Sequence, residues 1–195
     1  KRVVFTLDHV HHHLRPVVDQ WLLFADLVKP SPAEATLVMR ELTRNRRDHI
    51  GFVPHEVSWL MGQLINRQGP YASLLDLYLD AGVLPVALHQ RHGELKNTAG
   101  LFINSTAHML MRFELDMIGS EVRLSPFSIP FFEPEDFDRV IAASPWGRMR
   151  DPYDLTGLQQ ADAATIYAGL ANSILTDKGV AVLLVPAGFL FKADK

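Results

Sequence analysis

This sequence predicts an α/β fold built on a largely parallel sheet, and three observations carry the prediction. From residue 54 onward, short apolar runs of strand length alternate with longer stretches of helical periodicity, the pattern of strand–helix–strand crossovers. Runs such as 180–185 are apolar throughout and read as buried strands, so helices must cover both faces of the sheet. The composition, 48% hydrophobic and 21% charged over 195 residues, is that of a globular chain long enough for one domain with an extension.

The first part of the chain reads as helical. Val17, Trp21, Phe24 and Val28 recur at helical spacing until Lys29-Pro30-Ser31-Pro32 breaks the pattern. Ser31 is a helix-start residue, and 33–43 is rich in helix formers. Arg44-Asn45-Arg46-Arg47 forms a basic connector, a solvated face first and a phosphate contact second. A boundary follows, with a helical segment over 1–47 and a core over 48–195.

Within the core the spacing predicts a helix over 54–66, with Val57, Leu60, Met61, Leu64 and Ile65 on one face. A strand over 73–76 and a helix over 82–90 come next. The second strand falls at 100–103, its helix at 105–118, and the third strand at 122–124. A fourth strand covers 139–142, a helix 165–175 and a fifth strand 180–185.

Bulk properties exclude several classes. A net charge of −3 is unlike a free-standing nucleic-acid-binding domain, so contact with nucleic acid needs a local patch or a partner. With no cysteine there is no disulfide framework and no thiolate zinc site. No apolar run reaches the ~20 residues that span a bilayer, and no signal peptide is visible. A cytoplasmic location is the expectation. The chain stops soon after its last strand-like run, so a piece of a longer protein is expected as well. His9, His11, His12 and His13 offer one i, i+4 pair without a third ligand, so a solvated face is expected and no metal.

No single motif is strong, but the ordered set is. Gly51-Phe52-Val53-Pro54-His55-Glu56-Val57 opens a helix. Leu75-Asp76 ends a strand. Gly100-Leu101-Phe102-Ile103-Asn104 leads into a helix stopped by Gly119. Phe137-Asp138-Arg139-Val140-Ile141-Ala142-Ala143-Ser144-Pro145-Trp146-Gly147 is a strand running into a loop, and residues 179–191 form a Gly-strand-Pro-x-Gly segment. In this order, over roughly residues 50–191, the chain resembles the catalytic domain of the adenine-N6 DNA methyltransferases, in the modification-subunit form of type I restriction systems.

The resemblance implies a Rossmann-like, S-adenosylmethionine-dependent methyltransferase fold with an N-terminal helical extension. It implies S-adenosylmethionine as cofactor, no metal and no membrane. DNA and other subunits of a restriction-modification or defence complex are the implied partners. Phe52 and Pro54 would border the cofactor pocket. Asp76, Asp80 and Gly82 would form the cofactor turn, where bare backbone approaches the ligand. Phe102 would stand at the acid that holds the ribose hydroxyls. Ala143, Ser144, Pro145 and Trp146 would form the catalytic loop, whose Asn-Pro-Pro-aromatic pattern grips a flipped adenine.

The sequence departs from that pattern at ligand-facing positions. Asp80 adds a charge and a side chain where the family has glycine, and Tyr78 and Leu79 add bulk. Phe102 replaces the ribose acid. Ala143 replaces the amide that holds the target amine, and a shifted register puts Ser144 first with one proline missing. Three functions follow as expectations. The first is a catalytically inactive methyltransferase-like scaffold or DNA-contacting module. The second is an active adenine-N6 methyltransferase with a divergent pocket. The third is a cleft repurposed for another nucleotide or a protein. Bland alternatives stand beside the site roles: Asp76 as a strand-end residue bonding backbone amides, His55 and Glu56 as helix-start residues, Trp146 as a packed loop anchor, and Arg148 and Arg150 as solvated loop residues.

Overall fold

A computed structural model of the chain describes residues 16, 19–20, 23, 53–79, 83–89, 95–102, 108, 111–112, 115, 120–126, 136–145, 147–150 and 160–191. Of the segment 1–47, Pro16, Asp19, Gln20 and Leu23 are described; they are helical and exposed. The rest of that segment, with its histidine run and basic connector, lies outside the described residues.

The core opens with α1 (His55–Asn66), whose N-cap is Pro54. The fixed ring torsion of proline suits a helix start. Strand β1 (Ser73–Asp76) follows, then α2 (Val83–His89) and β2 (Asn97–Phe102). His108, Met111, Arg112 and Leu115 are helical and lead toward β3 (Arg123–Pro126). Next come β4 (Phe137–Ala143), the short strands β5 (Arg148–Met149) and β6 (Ala161–Asp162), α3 (Ala163–Ile174) and β7 (Leu175–Leu184), with a 3-10 turn over Ala187–Phe191.

Among the described residues five strands form one sheet in the order β3-β2-β1-β4-β7, and every pairing in it is parallel. Strands β5 and β6 form a separate antiparallel ribbon. The chain steps outward from β1 to β2 to β3, then returns to lay β4 on the other side of β1. The strand order therefore reverses between β1 and β4, and in open α/β sheets ligands bind outside the carboxyl ends of the strands at such a point.

Strand side chains alternate between faces, and each face has its own core. Leu74, Ile141 and Ala143 pack with Met61 and Ile65 of α1 and with Val83, Leu84 and Ala87 of α2. Leu75, Ala99, Leu101, Val140 and Ala142 pack on the other face with Ile166, Tyr167, Leu170 and Ile174 of α3. Each fully buried leucine or isoleucine contributes about 1.5–3 kcal/mol, so this double cover is what fixes the helices to the sheet. Among the described residues no helix is long and apolar enough to cross a membrane.

The predicted helix face on α1 is corrected in part. Met61 and Ile65 are buried, but Leu60 and Leu64 are 51% and 42% exposed, beside an exposed Trp59. The sheet uses the Met61–Ile65 stripe and leaves the neighbouring one outside.

The amino edge of the sheet is stapled by Asp138. Its carboxylate accepts hydrogen bonds from the backbone N–H of Ala72 at 2.7 Å and of Ser73 at 3.2 Å. Its own N–H donates to Ser73 Oγ at 2.8 Å. Next to it, the buried Arg139 donates to the carbonyl of Gln68 at 2.9 Å and lies 5.3 Å from the Tyr71 ring centroid. Both residues of the Asp138-Arg139 pair thus hold the start of β1, at the end of the sheet opposite the strand carboxyl ends.

Strand β7 begins earlier than its apolar run. Phe137 is paired with Leu175 but Arg139 with Val180, so residues 176–179 bulge out of the ladder before regular pairing resumes at Val180. Gly179 closes that bulge; a Cβ there would meet Leu175 Cβ and the Thr176 carbonyl oxygen, each at 2.9 Å.

Candidate cofactor and substrate end of the sheet

Strands β1, β2 and β4 deliver the candidate residues to one place. Asp76, the last residue of β1, is level with Gly100 of β2 and Ile141 of β4. Phe102 and Ala143 end their strands two positions further on. The sheet therefore brings Asp76, Phe102 and Ala143 to one carboxyl edge at the point of strand-order reversal.

Asp76 is fully buried, and its Oδ1 accepts a hydrogen bond from the Tyr78 N–H at 2.9 Å. This is the short-range side-chain bond by which aspartate shapes a turn. Leu77 N–H continues the ladder by donating to the Ile141 carbonyl at 2.9 Å.

The residues after Asp76 turn inward. Leu79 is fully buried and belongs to the core shared by α1 and α2. Its methyl group occupies the space over Gly100, where a Cβ would lie 2.6 Å from Leu79 Cδ1. Tyr78 is half-buried and meets Tyr167 of α3 edge to face, with centroids 5.9 Å apart and planes at 82°. The turn after β1 is therefore packed by its own leucine and tyrosine. Asp80 and Gly82 lie outside the described residues.

At the end of β2, the Phe102 ring stacks on His108, with centroids 4.3 Å apart and planes at 20°. Burial holds the His108 imidazole below its ordinary pKa, and the neighbouring Arg112 charge adds to the effect. This strand end thus presents an apolar ring covered by a second ring.

In the loop after β4, Ala143 and Ser144 are both buried and Pro145 is half-buried. Ser144 Oγ donates to the Leu184 carbonyl on β7 at 3.3 Å, tying the loop to the neighbouring strand. Trp146 and Phe52 lie outside the described residues. Pro54 is exposed at the N-cap of α1, and its carbonyl accepts the N–H groups of Val57 and Ser58, each at 3.0 Å. Gly147 follows with φ of +107°, and its carbonyl accepts the Ala163 N–H at 2.7 Å, fixing the loop to the start of α3.

Tyr167 and His108 are residues of this region that sequence reasoning did not single out, and Gly100 was named only as the head of a strand motif, with no site role. Gly100 had the one available signal: a glycine inside a strand marks a close approach. The two rings had none, because their partners are distant in sequence or come from another element.

Strand order, parallel pairing and helices on both faces define the class: the chain has the Rossmann-like fold of the S-adenosylmethionine-dependent methyltransferases. Among solved structures it is similar to a protein of Listeria monocytogenes assigned to the class I S-adenosylmethionine-dependent methyltransferases, with a TM-score of 0.65, 14% identity, and coverage of 84% of this chain and 56% of that one. It is equally similar to the methyltransferase subunit of a type I restriction-modification system from Streptococcus thermophilus, with a TM-score of 0.65, 19% identity, and coverage of 84% of this chain and 40% of that one. The chain thus spans 56% and 40% of the lengths of these two proteins. No family model matches the chain, and no curated protein matches it.

Proposed function

We propose that this chain is an adenine-N6 DNA methyltransferase-like domain that has lost methyl transfer and serves as a scaffold or DNA-contacting module in a restriction-modification or phage-defence assembly. The observation that supports this reading is how the carboxyl edge is filled. Leu79 lies buried over Gly100, Phe102 is stacked on His108, and Ser144 gives its hydroxyl to the Leu184 carbonyl. Phe102 and Ser144, at a cofactor and a target-base position of the family pattern, are engaged by the protein's own groups.

S-adenosylmethionine fits these residues poorly. Its ribose would meet the Phe102 ring where a carboxylate is wanted, and a hydrogen bond to a charged group is worth about 1.5–3 kcal/mol. Loss of both ribose bonds weakens binding by at least about tenfold. At the base position the Ala143 methyl offers nothing to an adenine amine, so no step of methyl transfer is assigned to this chain. Assembly with other subunits is the reading that the restriction-modification neighbour supports.

The test is calorimetric titration of the full chain with S-adenosylmethionine and with S-adenosylhomocysteine. The expected result is no heat of binding at micromolar ligand. A micromolar Kd for either ligand would overturn the inactive reading in favour of a working enzyme with a divergent pocket.

A further inference from the structure

Strand β7 is an edge of the sheet: it pairs with β4 on one side and, among the described residues, with no strand on the other. Its regular part, 180–184, holds no charged residue, and every residue of it is half-buried. Its neighbour β4 is buried throughout except at Asp138. The opposite edge of the sheet is guarded. Strand β3 is short, begins on the exposed Arg123 and ends on Pro126, which are devices that discourage pairing. Residues 180–184 carry none of them. Helix α1 opens on the same flank. It touches β4 and β7, and its Asn66 Nδ2 donates to the Ala87 carbonyl of α2 at 3.1 Å. At about 100° per residue, Leu60 and Leu64 stand about 120° and about 160° round the helix from Asn66. They lie on the shoulder away from α2, on the β7 side, and are 51% and 42% exposed.

We propose that two copies of this chain join edge to edge through an antiparallel β7–β7 pairing, about a two-fold axis perpendicular to the sheet, with the Leu60 and Leu64 stripe of each α1 closed against its counterpart. The inference goes beyond the reading above and holds whether or not methyl transfer is lost. The outward N–H and C=O groups of an edge strand call for another strand. Half-exposed side chains on both faces call for an occupant that is apolar on both faces. Strand β7 itself has that chemistry: Val182 and Leu184 pack toward α1 and α2, and Ala181 and Leu183 toward α3. A perpendicular two-fold axis keeps like faces together, so one sheet runs on into the other and α1 meets α1 on the same side. An extended peptide would pair the edge but leave Leu60 and Leu64 in water. A second copy supplies the strand and the helix stripe together. Such a contact uses the same patch on both partners and closes on itself, giving a dimer rather than a filament.

The test is sedimentation velocity of the full chain over a concentration series, with a species of twice the chain mass expected. Leu60→Lys/Leu64→Lys puts charges into the contact from both copies and is expected to raise the dimer Kd at least about a hundredfold. Trp59→Lys, on the α2 shoulder of the helix, is expected to leave the Kd unchanged. Circular dichroism checks that each variant is folded, which these exposed side chains do not control. A second measurement reads the strand pairing directly. The chain has no cysteine, so one introduced thiol reports alone. About a perpendicular two-fold axis one residue of β7 faces its own copy, with Cα atoms about 4.5–5.5 Å apart, within disulfide reach. At least one of Val180→Cys, Ala181→Cys, Val182→Cys, Leu183→Cys and Leu184→Cys is expected to form a disulfide-linked dimer under mild oxidation. A chain that stays monomeric overturns the proposal and leaves this flank to a different protein. A dimer that survives Leu60→Lys/Leu64→Lys, or that cross-links at none of the five positions, uses another surface and overturns it as well.

Discussion

A single methyl group added at Gly100 reports on the packing of the turn after β1. In Gly100→Ala the new Cβ would lie 2.6 Å from Leu79 Cδ1 and 3.4 Å from Leu124 Cδ2. Carbon atoms prefer about 3.5–4.0 Å, so the Leu79 methyl must retreat by about 1 Å. Leu79 is fully buried and has no solvent to move into. Overpacking of this kind costs about 1–3 kcal/mol. Replacing a strand glycine recovers about 0.5–1 kcal/mol of backbone entropy. The net expectation is a loss of about 1–2 kcal/mol. Leu79→Ala alone leaves a cavity and costs about 2–5 kcal/mol. In that background the Gly100→Ala methyl enters vacated space, and its cost should vanish. The assay is urea unfolding of the wild type, both single variants and the double variant, comparing midpoints at constant m. The expected coupling is about 1–3 kcal/mol in favour of the double variant. An equal cost for Gly100→Ala in both backgrounds would refute the claim that Leu79 fills the space over β2.

Two other substitutions probe the edges of the sheet. Asp138→Ala removes the acceptor of the Ala72 and Ser73 N–H groups, and at about 1.5–3 kcal/mol per bond to a charged group it should cost at least about 2 kcal/mol; a thermal or urea shift equivalent to less than about 0.5 kcal/mol would show that the staple is not needed. His108 has a folded pKa below its ordinary value of 6.5, so the unfolded chain takes up its proton first; stability is complete above pH 6.5 and is lost as pH falls from there through the folded value. His108→Phe keeps a ring against Phe102 and removes the titration, so melting temperatures at pH about 7.5 and about 5.5 should differ less in the variant than in the wild type; the same drop in both proteins would assign the pH dependence to other groups.

The fold was legible in the sequence wherever the signal is local. Strand β1 lies at 73–76 as expected, bounded by Gly69-Pro70 before it and ended by an acid. Helix α1 begins one residue after Pro54, as a proline cap dictates. The strand over 180–185 is present as the regular part of β7. Its earlier start at Leu175 was hidden because the bulge over 176–179 carries exposed Asp177 and Lys178, which read as a loop. Strands β5 and β6 were invisible because two residues carry no period. The candidate residues were legible as strand-end positions, but their contacts were not. Chain order placed Asp76, Phe102 and Ala143 at strand ends, and the sheet brings those ends together.

The sequence by itself determined the alternation of strands and helices, the parallel sheet, and the identity of the residues that stand at the carboxyl ends of its strands. These follow from hydrophobic period and from turn chemistry, which act over a few residues. Tertiary structure alone decided what those residues do there. Leu79 could have projected outward from the turn; it is buried because Gly100, twenty-one positions on in sequence and adjacent across the β1–β2 pairing, leaves room for it. Phe102 could have lined an open cleft; it is covered because the helix after β2 sets His108 on its ring. Burial and ring stacking depend on partners from other elements, and no local pattern specifies them.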